Sequence, residues 1–368
     1  MTDLVEITIN GKTQSGWTRY DIDSSLLVPA DAWHVGLSCS SLKLDSPIDA
    51  GAPVEVRVGG DVVMSGRLDN RVRTVQKSGK VLDLDGRDGA AVLVDCSAPI
   101  FGQEELTLEQ VVAKIVRPLG INRVRIDAET QLLRDRVCTE PGDTAWQALQ
   151  RAAEANGLWP WFEPDGTLVV GGPNYDSPVV DELVMLESGP QNNLVSLRER
   201  KSMSVRHSEV TVLGQSIGTN VRMGKPNVRA TVQDTGVPSY RPLVVVDHEA
   251  TNEAIARARA TKIISDERVK SFDLQAVILG KRNASGTLWA PGQRVRVVSE
   301  PHDLDGTYFC LARRFTESRA ESARATLTLC EDRAWVVTAH PHHRKHRRGK
   351  NGLPGVIVDL TAPTGGAQ

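Results

Sequence analysis

Aromatic residues make up only 4% of the 368-residue chain, too few for the rows of stacking platforms on which single-stranded nucleic acids are usually held. Cysteine is scarce as well. The five cysteines (Cys39, Cys96, Cys138, Cys310 and Cys330) are odd in number and far apart. None has CxxC spacing, so neither a zinc site nor a disulfide framework is signalled, and they read as reduced thiols. No apolar run approaches the roughly 20 residues that a membrane-spanning helix needs. The first residues, MTDLVEITING, lack the basic and apolar regions of a secretory signal, so the expectation is a soluble protein made and used without Sec export. Net charge is −2, which singles out no partner of either sign. There is no GxSxG, HExxH, phosphate-loop or GxGxxG motif. Ser40 and Lys43 match SxxK literally, but its companion motifs are missing. No catalytic, cofactor-binding or metal-binding residues are assigned.

What the sequence has is alternation. The stretch from Val54 to Ala98 organises the rest. Val54, Val56 and Val58 alternate with Glu55 and Arg57, the period of a half-buried strand. Gly59-Gly60 supplies a tight turn. Val62-Val63-Met64 returns, with Gly66 read as a bulge or bend. Arg71 to Val75 reads as a third run, and Val81 to Asp85 as a fourth after the turn at 77–80. Upstream, Val5, Ile7 and Ile9 alternate before the hairpin signal Asn10-Gly11, and 33–39 reads as another strand. Residues 1–97 are therefore expected to form one all-β unit, a small antiparallel barrel or sandwich.

Residues 98–190 read as an α+β unit. Thr107-Leu108-Glu109-Gln110 fits a capping box, and Leu108, Val111, Val112 and Ile115 share a helical face. A second helix starts near Thr144 and buries Trp146, Leu149, Ala152 and Ala153, with Gly157 ending it. A hairpin turns at Asp165-Gly166. Strands then resume at 205–213, followed by a Gly-containing loop to 227. A buried-type, Val-rich strand from Ser239 to Asp247 enters a helix from about Thr251 to Arg268, with Glu253 and Arg257 paired and Ala254, Ala258, Thr261 and Ile264 as its packing face. Residues 241–270 are assigned with the α+β unit. Residues 191–240 and 271–335 are assigned to a second, discontinuous β-barrel. Residues 336–368 read as a tail, basic and then Gly/Pro-rich. The fold class is α+β, mainly β.

Three features could carry chemistry. Asp83, Asp85 and Asp88 cluster near one barrel end, and read as a solvated strand face followed by a turn aspartate. Glu104, Glu105 and Asp127 could form a glycosidase pair, but nothing sets a carboxylate separation. His340 to Lys350 holds five Lys/Arg, four histidines and no acids. His342, His343 and His346 could ligate metal only in a geometry the sequence does not provide. Arg344, Lys345, Arg347, Arg348 and Lys350 could contact an anion, a nucleic acid or a partner.

The order of the motifs resembles the baseplate hub proteins of Mu-like contractile-tailed bacteriophages. Ser15-Gly16-Trp17-Thr18 follows the first hairpin. Gly86-Arg87-Asp88 and Leu93 to Ala98 follow the first barrel. Thr107 to Gln110 opens one helix, and Ala148-Leu149 through Gly157-Leu158 form the next. Tyr240-Arg241-Pro242 precedes the Val-rich strand, and Leu288 to Pro291 follows the long helix. The likeness runs over about 320 residues and stops near 340, so the basic tail inherits no role. It implies a structural homotrimer in the virion tail, assembled in the host cytoplasm. Two tube-type barrels per chain would form a six-barrel ring joining the tail tube to the spike, with wedge proteins outside and a channel that passes DNA without sequence-specific binding. The alternatives are a tail-associated cell-wall hydrolase using Glu/Asp acids, or another β-barrel tail-tip component.

Overall fold

The computed structural model describes residues 3–39, 48–77, 79–103, 106–127, 137–139, 141–155, 157–214, 228–247, 250, 252–335 and 356–359. The first β unit holds β1 (Val5–Ile9), β2 (Lys12–Gln14), β3 (Arg19–Ser25), β4 (Ala32–Cys39), β5 (Pro53–Val58), β6 (Asp61–Gln76) and β7 (Gly79–Asp88). Val5, Ile7, Ile9, Val54, Val56 and Val58 all point into one core, as their alternation requires. Asn10 and Gly11 both take positive φ, 50° and 77°, which twists the β1–β2 turn to suit its strands. The expected break inside 61–76 does not occur. β6 is one 16-residue strand, and its register shift against β7 lies between Leu68 and Asn70, not at Gly66. Gly66 serves another purpose. A Cβ there would overlap the Arg87 carbonyl, and one at Gly86 would overlap the Arg67 carbonyl. These two glycines, opposite Asp88 and Leu68 respectively, let β6 and β7 approach closely.

The middle of the chain is a helical layer on small sheets. It contains α1 (Ala91–Asp95), β8 (Gly102–Gln103), α2 (Leu108–Val116), β9 (Arg123–Ile126), β10 (Val137–Cys138), α3 (Ala145–Ala155), β11 (Trp159–Phe162) and β12 (Leu168–Gly171). Thr107 Oγ1 accepts from Gln110 N at 3.2 Å while Gln110 Oε1 accepts from Thr107 N at 2.9 Å, the reciprocal cap expected from sequence. Thr144 and Gln147 repeat it at the start of α3, at the same two distances. Leu108, Val111, Val112, Ile115, Trp146, Leu149, Ala152 and Ala153 form the core between the two helices.

The second β unit consists of β13 (Val179–Met185) and β14 (Leu194–Lys201), followed after an insertion by more strands. The insertion is a separate three-stranded sheet, β15 (Glu209–Gly214), β16 (Val228–Gln233) and β17 (Pro242–Val246), covered by α4 (Glu253–Ser271). Then come β18 (Phe272–Leu279), β19 (Arg294–Ser299), β20 (Leu304–Ser318) and β21 (Arg324–Glu331). The assignment of 191–240 to the second β unit therefore needs correction. Only β14 joins that unit, whereas β15 pairs with β16 on one side and β17 on the other, and this sheet packs on α4. The 241–270 segment likewise closes this insertion's own core rather than the core of residues 90–170. The buried face of α4 is Ala256, Ala260 and Ile264, while Ala254 is exposed. The Glu253–Arg257 pair is present at 3.0 Å. Of the expected loop at 214–227, residues 215–227 lie outside the described residues.

β22 (Val356–Asp359) runs antiparallel to β9 and joins the sheet β11-β12-β9-β22. The segment read as a structureless tail thus contributes a strand. Among the described residues no helix is long and apolar enough to cross a membrane.

Candidate functional site

The two β units are versions of one plan. The first has strand order β3-β4-β7-β6-β5-β1, and the second β14-β18-β21-β20-β19-β13. Each has one long strand, β6 or β20, paired first with the preceding hairpin strand. A register shift follows at Leu68/Asn70 in β6 and at Cys310/Ala312 in β20. Beyond its shift, β20 leaves β19 and pairs with β3 of the first unit, from Ala312 opposite Ser25 to Ser318 opposite Arg19. One continuous sheet of thirteen strands results among the described residues, with a shared core that includes Tyr20, Ile22, Phe315 and Leu274. Sequence reading found two β units and missed this seam. The seam and the faces beside it form the candidate site.

The seam is locked from several sides. Tyr20 donates to Glu317 at 2.5 Å. Arg282, beyond β18, donates to Asp3 at 3.0 Å, to Asp61 at 2.7 Å and to the Val58 carbonyl at 3.1 Å, which fastens the second unit to the first unit's Gly59-Gly60 turn. Trp159 Nε1 donates to the Leu26 carbonyl at 2.6 Å. Its ring packs with Trp335, Phe309 and Leu311 where the α+β unit meets both β units.

Beneath the seam lies a charged network. Arg313 is 2% exposed and stacks on Phe315 at 4.1 Å. Burial pushes its guanidinium down to about 10 against the favourable charges of Asp31 and Asp23. Burial pushes the Asp31 carboxyl up to about 6, although Ser25 N donates to it at 2.7 Å. Asp88 is raised well above the carboxylate range by burial and then by Asp31, and it accepts from Ala90 N at 2.9 Å. A sequence signal for Arg313 existed. Arg313 alternates with Phe315 and both are buried, and an arginine on the inward period of a strand needs an acid nearby.

The opposite face of the seam is polar, with every arginine matched by an aspartate and aspartates in excess. A cleft of about 670 Å³ is lined there by Asp21, Asp23, Asp69, Asp85, Arg87 and Arg314, among others. Arg314 forks onto Asp21. Arg87 reaches Asp69 at 2.5 Å and Asp95 at 2.6 Å, and Arg19 reaches Asp83 at 2.7 Å. Asp85 accepts from Asn70 at 2.8 Å. Asp83 and Asp85 share this face as expected. Asp88 does not, because it points inward with Leu82 and Leu84.

Arg125 sits between Asp127, at 3.4 Å, and Glu163, at 2.5 Å. Glu104 and Glu105 lie outside the described residues, as do Ser40 to Lys43, His342, His343 and His346. Arg344, Lys345, Arg347, Arg348 and Lys350 lie outside them too. Among the described residues no group of three or more His, Cys, Asp and Glu is placed to hold a metal. Burial pushes the Cys310 and Cys330 thiols up to about 12, which leaves them unreactive.

Comparison with known proteins follows the same division of the chain. Residues 4–88 match the family described as Mu phage baseplate assembly protein GpP-like, N-terminal. Residues 90–172 match baseplate hub protein gp44-like, second domain. Residues 206–264 match tail protein NMB1110-like, third domain, and residues 266–334 match tail protein, C-terminal domain. The chain is 24% identical to baseplate hub protein gp44 of Escherichia phage Mu, over 97% of this chain and 95% of that one. The tail protein from Neisseria meningitidis MC58 superposes with TM-score 0.82 at 34% identity, covering 93% of this chain and 100% of its own. The 43 kDa tail protein of prophage MuSo2 from Shewanella oneidensis gives TM-score 0.80 at 24% identity, covering 90% and 99%.

Proposed function

Because the chain belongs to the family of baseplate hub proteins of Mu-like contractile-tailed bacteriophages, we propose that it acts as a homotrimer forming the central ring of the baseplate. It is a structural component of the phage tail baseplate and not an enzyme, like the relatives it matches. The observation that carries the trimer is the repeated strand plan joined by the β3–β20 seam. Three chains with two such units each present six, which lets a threefold body sit between a sixfold tail tube and a trimeric spike. Each pair of units closes with its neighbours into a barrel-like wall, with wedge proteins on the outside. The hub assembles in the host cytoplasm before it becomes part of the virion.

The polar face, acidic in excess and without a free arginine among the pairs described, supports a channel lining. DNA passing a row of unpaired cations would be held by phosphate contacts and counterion release. Here Arg19, Arg87 and Arg314 are each already neutralised by an aspartate. DNA therefore crosses without sequence-specific binding.

The test is the mass of the purified chain by light scattering at several concentrations. A species near three times 40.0 kDa is expected. Contacts on the order of 2,000 Å² should keep it together on dilution. A monomer at every concentration would remove the trimeric reading.

A further inference from the structure

The seam inside the chain has a counterpart that the chain leaves open. β20 pairs with β19 before its register shift and with β3 after it. β6 pairs with β5 before its own shift, from Asp61 to Arg67. After the shift, residues 70–76 pair with β7 on one side, and among the described residues they have no strand on the other. Val72 and Val75 are 50% and 65% exposed there. The strand equivalent to β3 is β14, which among the described residues pairs with β18 alone. Among the described residues, each chain therefore carries one unpaired acceptor edge and one unpaired edge of the kind that fills it. An exposed edge of this sort is a template for pairing with another chain.

We propose that residues 70–76 of β6 pair antiparallel with β14 of a second copy of this chain, in the register of the intrachain seam. The proposal rests on the trimeric reading above and specifies how its subunits join. The register follows from the two repeats. Ala312 in β20 corresponds to Asn70 in β6, because each is the first residue after the shift. Ile22 in β3 corresponds to Glu199 in β14, because Trp33 and Leu274, their respective partners, occupy the same place in the sheet. The intrachain pairs Phe315–Ile22, Thr316–Asp21 and Glu317–Tyr20 then translate into Arg73–Glu199, Thr74–Arg198 and Val75–Leu197. One pair joins opposite charges and another is apolar, both favourable across a ladder. Arg71 falls opposite Lys201, but its guanidinium is engaged by the Ile48 carbonyl at 2.5 Å. The contact is head-to-tail, so it adds copies in one direction, and the trimeric reading requires its rotation to close after three.

The test uses the full chain with paired cysteines, T74C with R198C and R73C with E199C. Neighbouring pairs in an antiparallel ladder alternate between the wide and the close spacing, so one of the two falls in the closer position. Mild oxidation should then give covalent dimers and trimers on a denaturing gel in at least one variant. The pair N70C with R198C, four residues out of register, should stay uncrosslinked. Charge reversal reads the same contact without chemistry. R73E alone and E199R alone should each weaken self-association at least tenfold, and R73E with E199R together should restore most of it. A trimer by light scattering in which neither in-register pair crosslinks overturns this pairing and leaves the trimeric reading standing. So does crosslinking only out of register, or failure of the double reversal to recover. A monomer at every concentration overturns both.

Discussion

Tyr20 and Glu317, 297 residues apart, face each other across the β3–β20 ladder and share a 2.5 Å hydrogen bond. Burial first, and the bond to Glu317 next, push the Tyr20 phenol above its ordinary range, so the proton stays on the tyrosine oxygen. Lys281 lies 5.1 Å from the Tyr20 ring and 3.8 Å from Glu317, and donates to the Asp3 carbonyl at 2.7 Å. Tyr20→Phe keeps the ring and leaves Glu317 short of a donor. It should cost about 1–2 kcal/mol in chemical denaturation. An unchanged midpoint would mean that the backbone ladder alone holds the two units together.

Asp31 should make stability depend on pH. Its ordinary value is 3.8 and burial raises it to about 6 in the fold. Between those values the folded state holds a proton that the unfolded state has released, so stability falls as pH rises. The contribution is complete below about pH 4 and is lost by about pH 6, a change on the order of 2–3 kcal/mol. Denaturation curves between pH 4 and 7 should show a smaller decline in Asp31→Asn than in the natural chain. Equal slopes would mean that the carboxyl is ionised throughout.

Gly66 and Gly60 should respond differently to alanine. At Gly66 the methyl would overlap the Arg87 carbonyl, so β6 and β7 must separate. Gly66→Ala should cost more than about 3 kcal/mol, as other overpacked sites do at their upper range, or yield no soluble protein. Gly60 has φ of 93° with nothing within 4 Å of the added methyl. Gly60→Ala should cost only about 1–2 kcal/mol, the conformational penalty of left-handed backbone. Thermal melts of the two variants separate close approach from backbone preference.

The two reciprocal caps predict matched losses. Thr107→Ala and Thr144→Ala each remove a hydroxyl that accepts from a helix N–H at 3.2 Å. Each should lower stability by about 1 kcal/mol, and the pair should be nearly additive if the helices unfold with one core. Replacement by serine should recover most of either loss.

Replacing Arg344, Lys345, Arg347, Arg348 and Lys350 together with alanine should leave the solution mass unchanged. Retention on immobilised DNA should fall, and the salt dependence of whatever binding the chain shows should flatten. A change in mass would place these residues in the subunit contact instead.

Much of the fold was legible because it rests on short-range patterns. The alternation of Val5, Ile7 and Ile9, the Asn10-Gly11 turn and the Thr107–Gln110 box each declare themselves within a few residues. The seam could not be read that way. Arg19 to Ser25 looks like any half-buried strand, and nothing local says that its partner lies some 290 residues away. The insertion was misassigned for a related reason. β15 reads as a strand of its neighbourhood, but parallel pairing with β17 and cover from α4 decide where it belongs. Gly66 was misread because a bend and a close backbone approach leave the same mark in a sequence, and only the Arg87 carbonyl tells them apart.

The β3–β20 ladder also restricts arithmetic. It joins two β units within one polypeptide, where the second unit's local concentration never falls, however dilute the protein. Units can therefore enter an assembly only in twos. Any closed ring that extends this sheet holds an even number of them, and five- or seven-unit closures are forbidden by connectivity before any interface energy is considered.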